Sequence, residues 1–243
     1  MATQAKIPVF DGHNDVLSRL WRSPGGAAER RFLDGVDTGH IDLDKAEAGG
    51  LAGGLCAVYV ASPGLAKDGS GEFATPDQQS ALEATLGMAS LLMRIERQSE
   101  GRLKICRSAA DIRAAMDTGA FASVLHIEGI EAVGADLDAL YVLHAAGLRT
   151  LGPVWSRPNI FAYGVPFRFP SSPDIGPGLS EAGKDLVRAC NELKIMLDLS
   201  HMNEQGFWDI AALSQAPLVA SHSNVHALCP HSRNLTDRQL DAI

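Results

Sequence analysis

Short runs of apolar and β-branched residues, too brief for helices, alternate along this chain with stretches of helical periodicity, and that alternation leaves few folds open. The runs fall at 7–10 (IPVF), 55–60 (LCAVYV), 121–127 (FASVLHI), 148–155 (LRTLGPVW), 194–199 (KIMLDL) and 217–220 (PLVA). They read as six strands. Helical patterns lie between them over roughly 76–100, with Thr75 as N-cap and Pro76 at the first helical position, and then over 108–118, 134–146, 179–193 and 203–214. Such alternation implies βαβ units and a parallel sheet, either doubly wound or a (β/α)8 barrel of the TIM type. The phosphate-cradling patterns GxGxxG and GxxxxGK[ST] do not occur, which argues against a nucleotide site. Two loops rich in Gly, Pro and Ser, 61–75 and 156–178, each follow a strand, on the face where α/β active sites sit. With no internal repeat and no linker, residues 1–243 are expected to form a single domain.

Composition narrows the function. A chain of 243 residues that is 46% hydrophobic and 21% charged can bury a sizeable core. The net charge of -8 and the scatter of the 21 Lys and Arg argue against a nucleic-acid surface and favour small-molecule chemistry. Cys56, Cys106, Cys190 and Cys229 are far apart with no CxxC pair, which suits reduced packing thiols. The opening MATQAKIPVF lacks a basic and then apolar leader, and no apolar stretch approaches the length of a membrane span. A cytoplasmic protein without membrane association is the expectation.

The chemistry is written where the strands close. The first run ends in DGHND, and in extended backbone residues i and i+2 point the same way, so His13 and Asp15 can converge. Glu128 closes the third run, His201 follows the fifth and His222 the sixth. All five are good ligands for a hard or borderline cation, and in a parallel barrel the strand C-termini gather on one rim. The arrangement suits a two-metal hydrolase with His13 and Asp15 on one ion, His201 and His222 on the other, and Glu128 bridging. Nitrogen and oxygen ligands without thiolate fit Zn²⁺ best, with Mn²⁺ or Co²⁺ as alternatives, two ions per chain. A water shared by ions ~3.5–4 Å apart becomes acidic enough to attack a carbonyl near neutral pH.

The motifs DGHND (11–15), HIEG (126–129), DLSH (198–201), ASHSN (220–224) and SRNLTD (232–237) resemble, in order and along essentially the whole chain, the renal (membrane) dipeptidase family of binuclear zinc peptidases. That resemblance implies a metal-dependent dipeptidase on an amidohydrolase-like barrel, acting on free dipeptides through a hydroxide bridging two zinc ions, and a possible homodimer. It matches His13, Asp15, Glu128, His201 and His222 to the family's metal ligands and Arg233 to the arginine that holds the substrate carboxylate. A planar guanidinium suits that task because its fork pairs both oxygens. Two departures stand out. Many relatives carry a Thr-His pair after the fourth strand, whereas this chain reads GPVWSRPN, with Trp155 near that position. The family barrel also continues through two further strands and a late aspartate, whereas this sequence stops at DRQLDAI, so a barrel truncated after about six strands is expected.

Blander readings stand beside these. His126 shares the face of Glu128 but reads as a hydrogen-bonded barrel-interior histidine. His226, four residues after His222, reads as a loop residue. Glu131 invites comparison with a paired-carboxylate glycosidase site, which needs no histidine cluster. Asp198 either orients His201 or fills the barrel. Trp155 and Tyr163 either line a side-chain pocket or pack. Rival functions are a metal-dependent amidohydrolase acting on N-acyl amino acids or lactams, and a non-catalytic metal-binding homologue.

Overall fold

The computed structural model describes residues 7–35, 38–67 and 72–243. The leader-free start inferred at residues 1–6 and the middle of the first long loop at 68–71 lie outside the described residues. The chain divides into two compact units, residues 1–58 with 86–126, and residues 59–85 with 127–243.

The first unit holds β1 (Val9–Asn14), α1 (Val16–Arg22), α2 (Ala28–Leu33), α3 (Leu43–Gly49), all but the last residue of β2 (Leu51–Tyr59), most of α4 (Gln78–Gln98), β3 (Leu103–Ile105), α5 (Ala109–Asp117) and β4 (Phe121–Glu128) as far as His126. Here β1 runs parallel to β2, with Val9 opposite Leu51 and Asn14 opposite Cys56, and β3 runs parallel to β4. All eight residues of β4 are buried, as the unbroken apolar run predicts for a strand covered on both faces. The neighbouring β2 comes so close that a Cβ on Gly53 would overlap the Ala122 carbonyl oxygen, so only glycine fits there. Helix α4 buries Met88, Leu91, Leu92 and Ile95, the i, i+3, i+4, i+7 stripe of an amphipathic helix.

The second unit holds α6 (Asp138–Ala146), β5 (Leu148–Gly152), α7 (Glu181–Leu193), β6 (Met196–Leu197), α8 (Glu204–Leu213) and α9 (Asp237–Leu240). Thr150 and Leu151 of β5 pair in parallel with Met196 and Leu197. Side-chain oxygens of Ser180 and Asn203 cap α7 and α8 by accepting from Gly183 N and Gly206 N. Helix α7 packs Gly183, Leu186, Val187, Ala189 and Cys190 inward, and Phe161, Phe207 and Ile210 are buried with them.

Several expectations need correction. The run 217–220 is no strand; it contributes a single parallel bridge, Asp198 to Val219, because the chain there turns towards polar partners of Asp198. Its place in the count of six is taken by β3, whose three residues LKI are too short to register as a periodic run. The cap of α4 is Asp77, which accepts from Ser80 N, while the Thr75 hydroxyl turns away and donates to Pro158 O. The short helices α1, α2 and α3 were not anticipated, since fewer than three turns give periodicity little room. All four cysteines are free; burial pushes the Cys56 thiol up to about 11 and Cys190 up to about 12, as packing residues require, whereas Cys229 is exposed and is not the packing thiol expected. No helix among the described residues is long and apolar enough to cross a membrane.

Candidate metal centre

In the first unit, a break in the β1–β2 register between Asp11 and Asn14 re-aims the end of β1. His13 Nε2 there lies 3.9 Å from Asp15 Oδ1, the convergence that the His-x-Asp spacing predicts, and Asp15 begins α1 as its N-cap residue. The His126 ring meets His13 edge to face, with centroids 5.4 Å apart, inside the buried run of β4. Its full burial fits the interior position expected of His126.

In the second unit, Glu128, His201 and His222 come together. Glu128 closes β4, His201 lies in the turn after β6, and His222 follows the Val219 bridge. Glu128 Oε1 is 2.8 Å from His201 Nε2 and 3.1 Å from His222 Nε2, and the two imidazole nitrogens are 3.1 Å apart. Ligand atoms ~2.0–2.1 Å from a tetrahedral cation lie roughly 3.3–3.4 Å from one another, so this triangle fits one face of such a site. His201 adopts φ 68°, a left-handed backbone that costs a residue with a Cβ roughly 1–2 kcal/mol. Its carbonyl accepts from Val165 N at 2.9 Å and its Nδ1 meets Ser156 Oγ at 2.7 Å, contacts that hold the ring in this conformation. Burial, and then the Arg233 guanidinium, push the His201 imidazole down to about 3, so it is neutral at physiological pH, the form a metal requires.

Asp198 stands behind His222, with Oδ2 3.7 Å from its Nδ1. It is buried, accepts from Ser200 N at 3.0 Å and Ser221 N at 2.9 Å, and takes the Ser221 hydroxyl proton on Oδ2. The same Ser221 Oγ is 2.8 Å from His222 Nδ1, so the aspartate reaches the second histidine through a serine. Only the fold could reveal that partner.

Arg233 approaches from the segment before α9, where its guanidinium makes long bonds to Ser223 Oγ (3.4 Å) and His222 O (3.3 Å). Burial lowers its pKa to about 10, opposed by Glu128 and Asp198, so it remains a cation at neutral pH. Two long bonds leave donors of its five-donor fork for an anionic group. Trp155 lies in an aromatic cluster with Tyr59, Phe73 and Phe167, and its ring is 5.9 Å from that of His201. Below it is a residue the sequence reading passed over. Arg157, fully buried, pairs Nε with Glu131 Oε1 at 2.8 Å, donates to Ser62 Oγ and Val60 O, and sets its guanidinium 5.1 Å from the Trp155 ring. Glu131 is thus a structural counter-ion, which removes the glycosidase comparison. Tyr163 donates weakly to Glu72 at 3.5 Å, and His226 Nε2 is bound to Ser171 O at 2.9 Å, as a loop residue would be.

A parallel α/β chain with this cluster belongs to the metal-dependent hydrolases in its chemistry, and comparison narrows the class. Residues 1–243 match the family described as membrane dipeptidase, peptidase family M19, and the chain belongs to that family. It is similar to a metallo peptidase from Rhodobacter sphaeroides solved with a phosphinate mimic of the dipeptide L-Ala-D-Ala: 53% identity, TM-score 0.92, covering 98% of this chain and 71% of that one. It is also similar to the solved M19 metallo peptidase called dipeptidase AC, at 55% identity and TM-score 0.90, over 98% of this chain and 69% of the other. An uncharacterized protein in the PQQ-III 3′ region of Acinetobacter calcoaceticus is 41% identical over 246 residues, 98% of this chain and 77% of that protein. The barrel-type parallel α/β class read from the strand–helix alternation is borne out, as is the class of enzyme, a metallodipeptidase hydrolysing peptide bonds.

Proposed function

We propose that this chain hydrolyses the peptide bond of free dipeptides, using two divalent ions, zinc by preference, held by His13, Asp15, Glu128, His201 and His222. The observation that carries the reading is the triangle of Glu128 Oε1, His201 Nε2 and His222 Nε2, all within 3.1 Å of one another and built from two imidazole nitrogens and a carboxylate oxygen. Like acceptor atoms held this close need a proton or a cation between them. When bound, the ions supply Lewis acidity and water made acidic enough to react near neutral pH. Glu128 would serve both ions, Arg233 would grip the substrate's terminal carboxylate, and Trp155 would flank the bound side chain. A single barrel domain, a homodimer and a cytoplasmic setting, the last supported by four free cysteines, complete the reading.

After zinc reconstitution, elemental analysis is expected to find two ions per chain, and free dipeptides are expected to turn over faster than N-acyl amino acids or lactams. Absence of metal, or preference for N-acyl substrates, overturns the reading. Arg233→Lys is expected to raise KM for free dipeptides while leaving amidated dipeptides little changed, because what is lost is bidentate pairing to a carboxylate. Equal effects on both substrates would remove Arg233 from that role.

A further inference from the structure

Ser221 has one proton to give, and the structure commits it. Its hydroxyl donates to Asp198 Oδ2, a carboxylate that is buried and already accepts from two backbone N–H groups at 2.9 and 3.0 Å through Oδ1. An ionised carboxylate only accepts, so the hydroxyl cannot donate elsewhere. Ser221 Oγ is also 2.8 Å from His222 Nδ1, and with its proton spent it meets that nitrogen only as an acceptor. The imidazole proton of His222 therefore sits on Nδ1. Nε2 is left as an acceptor, 3.1 Å from both Glu128 Oε1 and His201 Nε2. The ring is clamped from its backbone too, because His222 N donates to Ser200 Oγ at 3.1 Å.

We propose that Asp198 and Ser221 form a positioning relay that fixes His222 in its Nδ1–H tautomer and presents Nε2 to a divalent cation. The inference rests on the reading of His222 as a metal ligand. Neither Asp198 nor Ser221 touches the cation; each acts through the imidazole. Metal-bound histidines commonly donate their other N–H to a carboxylate or carbonyl, and losing that partner lowers metal affinity about 10–100-fold. Here a serine stands between, which makes the interaction removable with little change of volume.

The test uses the full chain, Ser221→Ala and Ser221→Thr, all stripped of metal, with ¹⁵N-histidine NMR to read the His222 tautomer and competition against a chromophoric chelator to read zinc affinity. Wild type is expected to show the Nδ1–H tautomer before any metal is added. Ser221→Ala should lose it and bind zinc about 10–100-fold more weakly, whereas Ser221→Thr, which keeps the hydroxyl, should restore both. An Nε2–H tautomer in the metal-free wild type overturns the relay whether or not the variants fold. So does unchanged tautomer in Ser221→Ala, even with weaker zinc binding, since only a structural role would then remain. If the wild type shows the Nδ1–H tautomer but takes up no zinc, it is the metal-ligand reading that fails.

Discussion

Glu128→Gln is expected to strip metal from the chain and to lower dipeptide turnover by more than about 100-fold, since even losing an outer partner of a metal ligand costs 10–100-fold. The substitution keeps volume and shape while removing the charge that faces His201 Nε2 at 2.8 Å and His222 Nε2 at 3.1 Å. A neutral amide oxygen is a poor substitute for carboxylate at a hard or borderline cation. Because Glu128 is read as the bridge, both ions should weaken together, whereas Asp15→Asn should weaken mainly one. Metal titrations of the two variants check this division: equal metal loss would count against a bridging Glu128. The fold itself should survive, because the glutamine can still donate or accept within the same cavity, and thermal unfolding of the metal-free variant would report it.

The second large effect concerns stability. Removing the carboxylate with Glu131→Ala leaves the guanidinium of Arg157 buried without its counter-ion, and breaking such a pair costs about 3–5 kcal/mol. That is a large part of the ~5–15 kcal/mol that holds a typical domain together. Arg157 is fully buried and spends its other nitrogens on Ser62 Oγ and Val60 O, both at 2.8 Å, so it cannot swing out to solvent without undoing the join between two distant loops. The double variant Glu131→Leu with Arg157→Met should recover most of the loss, since neither charge then remains to be desolvated. Urea unfolding of the metal-free proteins measures both. A cost below about 1 kcal/mol for Glu131→Ala, the size of a surface pair, would show that water reaches the site.

Much of this was legible from the residues alone. Strand runs such as FASVLHI announce themselves because a strand buried on both faces must be apolar throughout, and β4 has that pattern. The five ligand candidates were legible because metal chemistry demands few residue types, and each of these closes or follows a strand-like run. Capping residues at Ser108, Ser180 and Asn203 sit where the helix-start pattern puts them, because an orphan N–H at a helix start must find an oxygen. The short elements were not legible. Three residues of β3 and six or seven residues of α1, α2 and α3 hold too few periods to stand out, and tertiary packing stabilises them rather than local preference.

What the sequence determined by itself was the alternation of strand and helix, and with it the parallel α/β class, together with the kinds of side chain available at the strand ends. Those follow from local rules: periodicity, capping, and the ligand preferences of a divalent cation. Which partner each polar group takes was decided only by the tertiary structure. Asp198 reaches His222 through Ser221, Glu131 neutralises Arg157 at 2.8 Å, and Thr75 yields the helix cap to Asp77. The physical reason is the same in each case. A buried polar atom must be satisfied by whatever lies within about 3 Å of it, and the chain's folding brings that neighbour from any distance in sequence.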